Sequence, residues 1–391
     1  MNKIVDLFAG CGGLSMGFQN AGFDIVGAFE YWDIAANCYE NNFNHPVFRT
    51  DLSNVHTATA QIKELEPKII IGGPPCQDFS HSGKRIEGRR ASLTGAFAEI
   101  VSEIKPRYFV MENVDRAQKS NAYADARDLF IKSGYGLTEI VLNASYCGVP
   151  QRRKRFFCIG SLGQDDGFLL DYIQEQMSQK ETTLRDFFGN TLDFEYYYRH
   201  PRNYNRRGIF SIDEPAPTMR GVNRPVPQGY LGHPNDACQL NDSIRSLTTL
   251  ERALIQTFPA NYKWQGTKTD MEQMIGNAVP VKLAEFVANA LAYHVNQCET
   301  VEVNYQDFYC WLKSSQSLSV RTERDTLSRL KRANSICELP ATPDAYYVFQ
   351  LEQDPDFRTL TQTVRSQLKR AVSLYADYRR DSCEQESTIA K

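Results

Sequence analysis

The sequence predicts a doubly wound α/β domain, joined by a small irregular domain and a mostly helical C-terminal extension. Three observations carry that reading. Short apolar runs alternate with segments of helical spacing through residue 160. A glycine-rich turn follows the first run, and an acid ends the second. The alternation then stops, and helical spacing returns only near residue 244.

The runs at 3–8, 23–29, 68–72, 107–111, 137–142 and 155–160 are rich in Ile, Val and Phe. Continuous runs of this kind suit strands of a parallel sheet buried on both faces. Helical spacing predicts helices over 14–21, 33–42, 58–65, 93–104 and 123–133. Residues 161–242 are rich in Pro, Gly, Asn and Tyr and hold no sustained period. Further helices are predicted over 244–258 and 281–295, with amphipathic stretches at 322–332 and 359–379. The expected divisions are 1–160 completed by 244–295, then 161–243, then 296–391.

The 391 residues are 42% hydrophobic and 23% charged, the profile of a soluble globular protein. No apolar stretch reaches the roughly 18 residues of a membrane span. The N-terminus MNKIVDLFAG lacks the features of a signal peptide. The ten cysteines form no C-x-x-C pair and the six histidines no H-x-x-x-H. Reduced thiols, a cytoplasmic location and no metal are therefore expected. The net charge of −3 argues, as a total, against a nucleic-acid binder. The total is an average, however. Residues 151–155 carry four cations, residues 199–225 carry six arginines against Asp213 and Glu214, and 163–198 is net −6.

The first strand ends in DLFAGCGGLSMGF, residues 6–18. Gly10, Gly12 and Gly13 permit a tight turn and close approach of a ligand to the backbone. Glu30, at the tip of the second strand, is placed to accept both hydroxyls of a ribose. Tyr31 and Trp32 beside it suit packing on an adenine. These features fit NAD, FAD and S-adenosylmethionine alike. The G-x-G-x-x-G spacing is not met, which leans towards a cofactor without phosphates.

The third run leads into GGPPCQDFSHSGKR, residues 72–85. Pro74 and Pro75 each fix φ and remove a donor, making a rigid turn at a strand's carboxyl end. Ligands bind at that edge in doubly wound sheets. Cys76, directly after the turn, is a candidate nucleophile, and none of the other nine cysteines is placed this way.

These segments resemble the cytosine-5 DNA methyltransferases of bacterial restriction–modification systems. The likeness rests on DLFAGCGG at 6–13, Glu30, GGPPCQDFS at 72–80, MENV at 111–114, QRRKR at 151–155 and GNAVP at 276–280, in the family's order. RSLTTLERALIQTFPANY at 245–262 is a further match. The resemblance implies a Rossmann-like S-adenosylmethionine-dependent methyltransferase domain, with 161–243 as target-recognition domain. It implies methyl transfer to C5 of one cytosine in a short double-stranded DNA site, with S-adenosylhomocysteine as product.

Cytosine C5 is too poor a nucleophile to take the methyl group unaided. A thiolate added at C6 makes C5 enamine-like, and Cys76 is placed for this. An acid at cytosine N3 makes C6 electrophilic, which suits Glu112, while Asn113 orients the loop. By resemblance, Arg153 and Arg155 meet the cytosine O2, the catalytic loop and the phosphates. Phe8 lies against the adenine, Asp51 bonds its amino group, and Asn277 with the backbone of Ala278 meets the methionine carboxylate. Pro74 and Leu93 also approach the cofactor.

A cytosine inside a duplex must be flipped out to reach such a site. The segment 80–93, with Ser80, Lys84, Arg85, Arg89 and Arg90, is similar to the family's loop that closes over DNA. Arg199, Arg202, Arg206, Arg207, Arg220 and Arg224 are expected DNA contacts, because arginine reads guanine and binds phosphate. Thr218 stands where the family often has Thr-Leu, with Met219 departing from that pair. The expected partner is double-stranded DNA. A cognate restriction endonuclease would act on the same site without a stable complex, and the enzyme is expected to be a monomer. An RNA cytosine-5 methyltransferase and an inactive DNA-binding regulator are the alternatives. Methylation at N4 or N6 would call for a polar-Pro-Pro-aromatic motif.

Overall fold

The computed structural model describes residues 2–75, 93–203, 205–299, 303–315, 318–340 and 343–389. The chain forms two compact units, Met1–Ser161 with Asp166–Ala290, and Leu162–Asp165 with Leu291–Lys391.

The first unit is built on a seven-stranded sheet. Its strands are β1 (Lys3–Leu7), β2 (Asp24–Phe29), β3 (Val47–Phe48), β4 (Ile69–Gly72), β5 (Tyr108–Val114), β6 (Tyr135–Asn143) and β8 (Lys154–Leu162), in the order β3-β2-β1-β4-β5-β8-β6. A two-residue strand, β7 (Gln151–Arg152), precedes β8. Ile4, Val5 and Leu7 of β1 and Ile69, Ile70 and Ile71 of β4 are fully buried. Helices α1 (Gly13–Asn20), α2 (Asp33–Glu40), α3 (Val55–Glu64), α4 (Leu93–Ile104) and α5 (Asn121–Lys132) alternate with the strands. The chain runs outward from β1 in both directions, so a crevice opens between the carboxyl ends of β1 and β4.

The six strands expected from the apolar runs are present, but the sheet is mixed. β8 runs antiparallel to β5, pairing Glu112 with Phe157 and Val114 with Arg155. Burial pattern carries no strand direction. What sets it is the connection from β6, about ten residues with no long helix, too short for a parallel crossover. β3 is two residues long and leaves no periodic trace.

The irregular region holds α6 (Leu170–Gln176), α7 (Leu184–Phe188), β9 (Tyr196–Tyr198), β10 (Ile209–Ser211) and β11 (Ala216–Pro217). Tyr197, Phe210, Ile212 and Met219 form its core with Leu247 and Ile255. The helix expected over 244–258 is shorter, α8 (Thr249–Ile255), because Thr248 and Glu251 cap it reciprocally. Helix α9 (Lys268–Asn277) lies outside the sequence-based expectations, although Thr267 and Asp270 form the same kind of cap. α10 (Val281–Glu299) follows.

The second unit holds α11 (Tyr305–Ser315), α12 (Val320–Ile336), α13 (Ala345–Gln353), α14 (Pro355–Thr359) and α15 (Gln362–Ile389). It has its own core, with Phe308, Leu312, Leu330, Tyr347, Leu351 and Tyr375 buried. Among the described residues, no helix is long and apolar enough to cross a membrane.

Candidate active site

A cavity of about 690 Å³ lies at the carboxyl ends of β1, β2, β4 and β5. Phe8, Gly10, Gly13, Glu30, Tyr31, Asp51, Pro74, Leu93, Asn277 and Ala278 line it, together with Glu112, Asn113 and Arg155. Residues far apart in sequence thus meet in one space.

The β1 side is organised around Glu30. Its carboxylate accepts from Gly10 N and Trp32 N, each at 2.7 Å. Burial pushes the Glu30 carboxyl up, and these backbone N–H groups oppose that shift. Each oxygen keeps acceptor capacity for a further donor. Tyr31 stands 68% exposed at the rim, a flat aromatic face in water. Phe8 turns the chain with φ 59°, a costly conformation for a bulky residue.

Gly12 and Gly13 divide their roles. Gly12 does not line the cavity. It takes φ 84°, and a Cβ there would stand 2.4 Å from the Phe43 ring. A Cβ on Gly13 would stand 2.3 Å from the Val279 carbonyl, so this glycine lets α1 close on the GNAVP segment. The first and last motifs of the chain are therefore one packing unit.

Asp6, absent from the sequence-based candidates, also lines the cavity. It is fully buried. Oδ2 accepts from Ser15 Oγ at 2.6 Å, and Tyr39 Oη donates to that Oγ at 2.6 Å. Oδ1 has no hydrogen-bond partner among the described residues. Burial pushes the carboxyl up to about 7, partly offset by Ser15 and reinforced by Glu30. The sequence signal for it is an acid inside an otherwise apolar strand.

The lining also carries a buried ion pair. Glu112 is buried, and its Oε1 stands 2.7 Å from Arg155 Nε. Burial pushes the Glu112 carboxyl up, while Arg155 and Arg153 pull it down. A Cβ on Gly73 would lie 3.0 Å from Glu112 Oε2, so glycine leaves the carboxylate its room. Asn113 Nδ2 donates to the Pro74 carbonyl at 3.0 Å. That bond ties the Pro-Pro turn to β5. Cys76, Ser80, Lys84, Arg85, Arg89 and Arg90 lie outside the described residues.

Arg153 and Arg155 part company. Arg155 faces the cavity, whereas Arg153 is 1% exposed. The Arg153 guanidinium donates to the carbonyls of Met219 (2.9 Å), Gly276 (2.8 Å) and Ala278 (3.0 Å). It clamps the end of α9, where unpaired carbonyls favour a cation. It is not among the residues that line the cavity.

The arginine-rich segment divides in the same way. Arg199 donates to the Thr218 carbonyl at 2.7 Å, and Arg220 to the His200 carbonyl. Arg207 pairs with Glu214 and lies 4.3 Å from the centre of the Phe210 ring. Thr218 Oγ1 donates to the Arg152 carbonyl at 2.8 Å. These four brace the region from within. Arg202, Arg206 and Arg224 are exposed. Leu231 is 99% exposed on a loop held by Asp236, which accepts from Gly208 N, Ile209 N, His233 N and Tyr230 Oη. Beneath the segment, Arg252 and Glu272 form an ion pair with both side chains 4% exposed. Removing one partner would strand a buried charge, at a cost of about 3–5 kcal/mol.

Similarity to known proteins identifies the family. Residues 2–292 match the family model described as C-5 cytosine-specific DNA methylase. The type II methyltransferase M.HindV of Haemophilus influenzae is 56% identical over 74% of this chain and 96% of its own length. M.HgiDI of Herpetosiphon aurantiacus is 52% identical, over 75% of this chain and 96% of its own. The S. pombe Dnmt2 methyltransferase structure superposes with a TM-score of 0.61 at 20% identity, over 76% of this chain and all of that one, and so shares the fold. This chain belongs to the C-5 cytosine-specific DNA methylase family and is a DNA (cytosine-5-)-methyltransferase.

Proposed function

We propose that this enzyme methylates one cytosine in a short duplex site, with Cys76 as nucleophile and S-adenosylmethionine as donor. It does so as the modification arm of a type II system, in line with the names of its relatives. The observation that carries the reading is the shared cavity. The Pro-Pro turn before Cys76, Glu112 and Arg155 line the same space as Phe8, Glu30 and Asn277.

The family implies S-adenosylmethionine, and the lining suits it. Glu30 offers acceptors for a ribose diol, and Phe8, Tyr31 and Trp32 offer aromatic faces for a purine. The orphaned Asp6 Oδ1 offers a spare acceptor in the lining. Arg155 is the one cation in the lining among the described residues, and it is paired with Glu112. That is a poor setting for a diphosphate. When bound, S-adenosylmethionine supplies an electrophilic methyl group.

The chain's own residues do the rest. Cys76 Sγ, as thiolate, adds to cytosine C6, while Glu112 gives a proton or a strong hydrogen bond to N3. The ring electrons move onto C5, which becomes nucleophilic. After C5 is methylated it loses its proton to water, the C6–S bond breaks, and the thiolate returns. Arg155 holds the Glu112 carboxyl in place, and Arg153 acts as a positioning residue through the α9 end. Arg202, Arg206, Arg224 and Leu231 meet the DNA, the cations at phosphate or guanine and the leucine at an apolar base edge. No metal is required.

The test is an acceptor assay with methyl-labelled S-adenosylmethionine, duplex DNA and tRNA, followed by digestion to nucleosides. The expected result is label in 5-methyl-2′-deoxycytidine from the duplex. Label in tRNA, or in N4-methylcytosine, would overturn the reading.

A further inference from the structure

All of the second unit from residue 293 onward lies beyond the family-matched region, which ends at residue 292. It is nonetheless a built structure with a buried aromatic and aliphatic core. Within it, α12 sorts its charges by face. Thr326, Leu330 and Ala333 turn inward and are buried. Arg321, Arg324, Lys331 and Arg332 are exposed. Their spacings of three, seven, eight and eleven residues place them along one side of the helix.

Of the two acids of the helix, only Asp325, four residues after Arg321, stands on that side, one acid against four cations. Glu323 is buried on the inner face, 5% exposed. Asp325 is engaged by Arg329, one turn on, at 3.9 Å. Arg321, Arg324 and Arg332 have no ion-pair partner among the described residues. Lys331 lies 5.2 Å from the centre of the Tyr305 ring. Ser328, also exposed, adds a hydroxyl to the same side. An ordinary solvated helix face interleaves both signs. This one sets three guanidinium groups and one ammonium against a single acid over roughly 16 Å of helix. Phosphate oxygens are the partners that such a row matches, and they need no base sequence to do so.

We propose that the outer face of α12 binds the phosphate backbone of duplex DNA, as a sequence-independent anchor added to the methyltransferase. The idea rests on the chain's action on DNA for its choice of polyanion. It does not depend on the roles assigned to Cys76 or Glu112.

The experiment compares the full-length protein with the R321Q/R324Q/K331Q/R332Q variant. The probe is a fluorescent 40-base-pair duplex of arbitrary sequence, titrated at several salt concentrations. The four side chains are exposed, so melting curves should coincide. The variant should bind at least about tenfold more weakly at low salt. Its plot of log affinity against log salt should be shallower by up to about 3.6, near 0.9 for each of the four phosphates no longer neutralised. An R321K/R324K/R332K variant, which keeps the charges, should behave as wild type. Unchanged affinity and slope would overturn the proposal. So would a variant whose oligomeric mass changes while its DNA binding does not, since the face would then serve self-association. Loss of DNA binding by the lysine variant as well would also overturn it, because charge would not be the cause. A wild type that binds with the steep slope but transfers no methyl group would sink the catalytic reading and leave this one standing.

Discussion

Replacing Cys76 by serine is expected to abolish methyl transfer to duplex DNA, with a loss on the order of 10³-fold or more, the scale that follows removal of a nucleophile. The reason lies in the substrate. Cytosine C5 becomes reactive only once C6 carries a nucleophile, and a serine hydroxyl is far less ionised near neutral pH than a thiol. Cofactor binding should persist, because Glu30, Phe8 and Asn277 line the cavity independently of residue 76. Single-turnover transfer from labelled S-adenosylmethionine, read beside equilibrium cofactor binding, separates the two effects. Loss of both together would mean that the substitution had damaged the cavity.

Glu112→Gln should lower kcat by about 10²–10⁴-fold, the usual worth of a positioned general acid. The affinity for S-adenosylmethionine should hardly change. The sign of the pH dependence follows from burial. Burial raises the Glu112 pKa and outweighs the pull of Arg155 and Arg153, so its protonated form persists to higher pH than that of an ordinary glutamic acid. Steps that need the acid form should weaken as pH rises through that raised value. The amide of the variant does not titrate, so kcat measured across pH should lose this descending limb. A variant with wild-type kcat would remove Glu112 from the chemistry.

Much of this is legible in the residues. The Ile-, Val- and Phe-rich runs become strands because two-sided burial demands continuous apolar sequence. Gly-Pro-Pro-Cys reads as a rigid turn, and Asn113 does bond back to that turn. What escapes a sequence reading is set by tertiary partners. Arg153 and Arg155 project to the same side of an extended segment, yet one meets the carbonyls of α9 and the other Glu112. No local pattern separates them. The same holds for Arg199, Arg207 and Arg220, whose acceptors lie up to twenty residues away. Asp6 reads as a lapse in an apolar run until Ser15 and Tyr39 show that only one of its oxygens is satisfied. Strand direction in β8 is likewise a property of its connection and not of its composition.

The central claim is covalent attack by Cys76 on cytosine C6. The most direct measurement is a trapping experiment with duplex DNA carrying 5-fluorocytosine, in which fluorine replaces the proton that must leave. In the presence of S-adenosylmethionine the enzyme should form a denaturation-resistant complex, and peptide mapping should place the nucleotide on the peptide containing Cys76. No adduct with the active enzyme, or an adduct on another cysteine, would contradict the account.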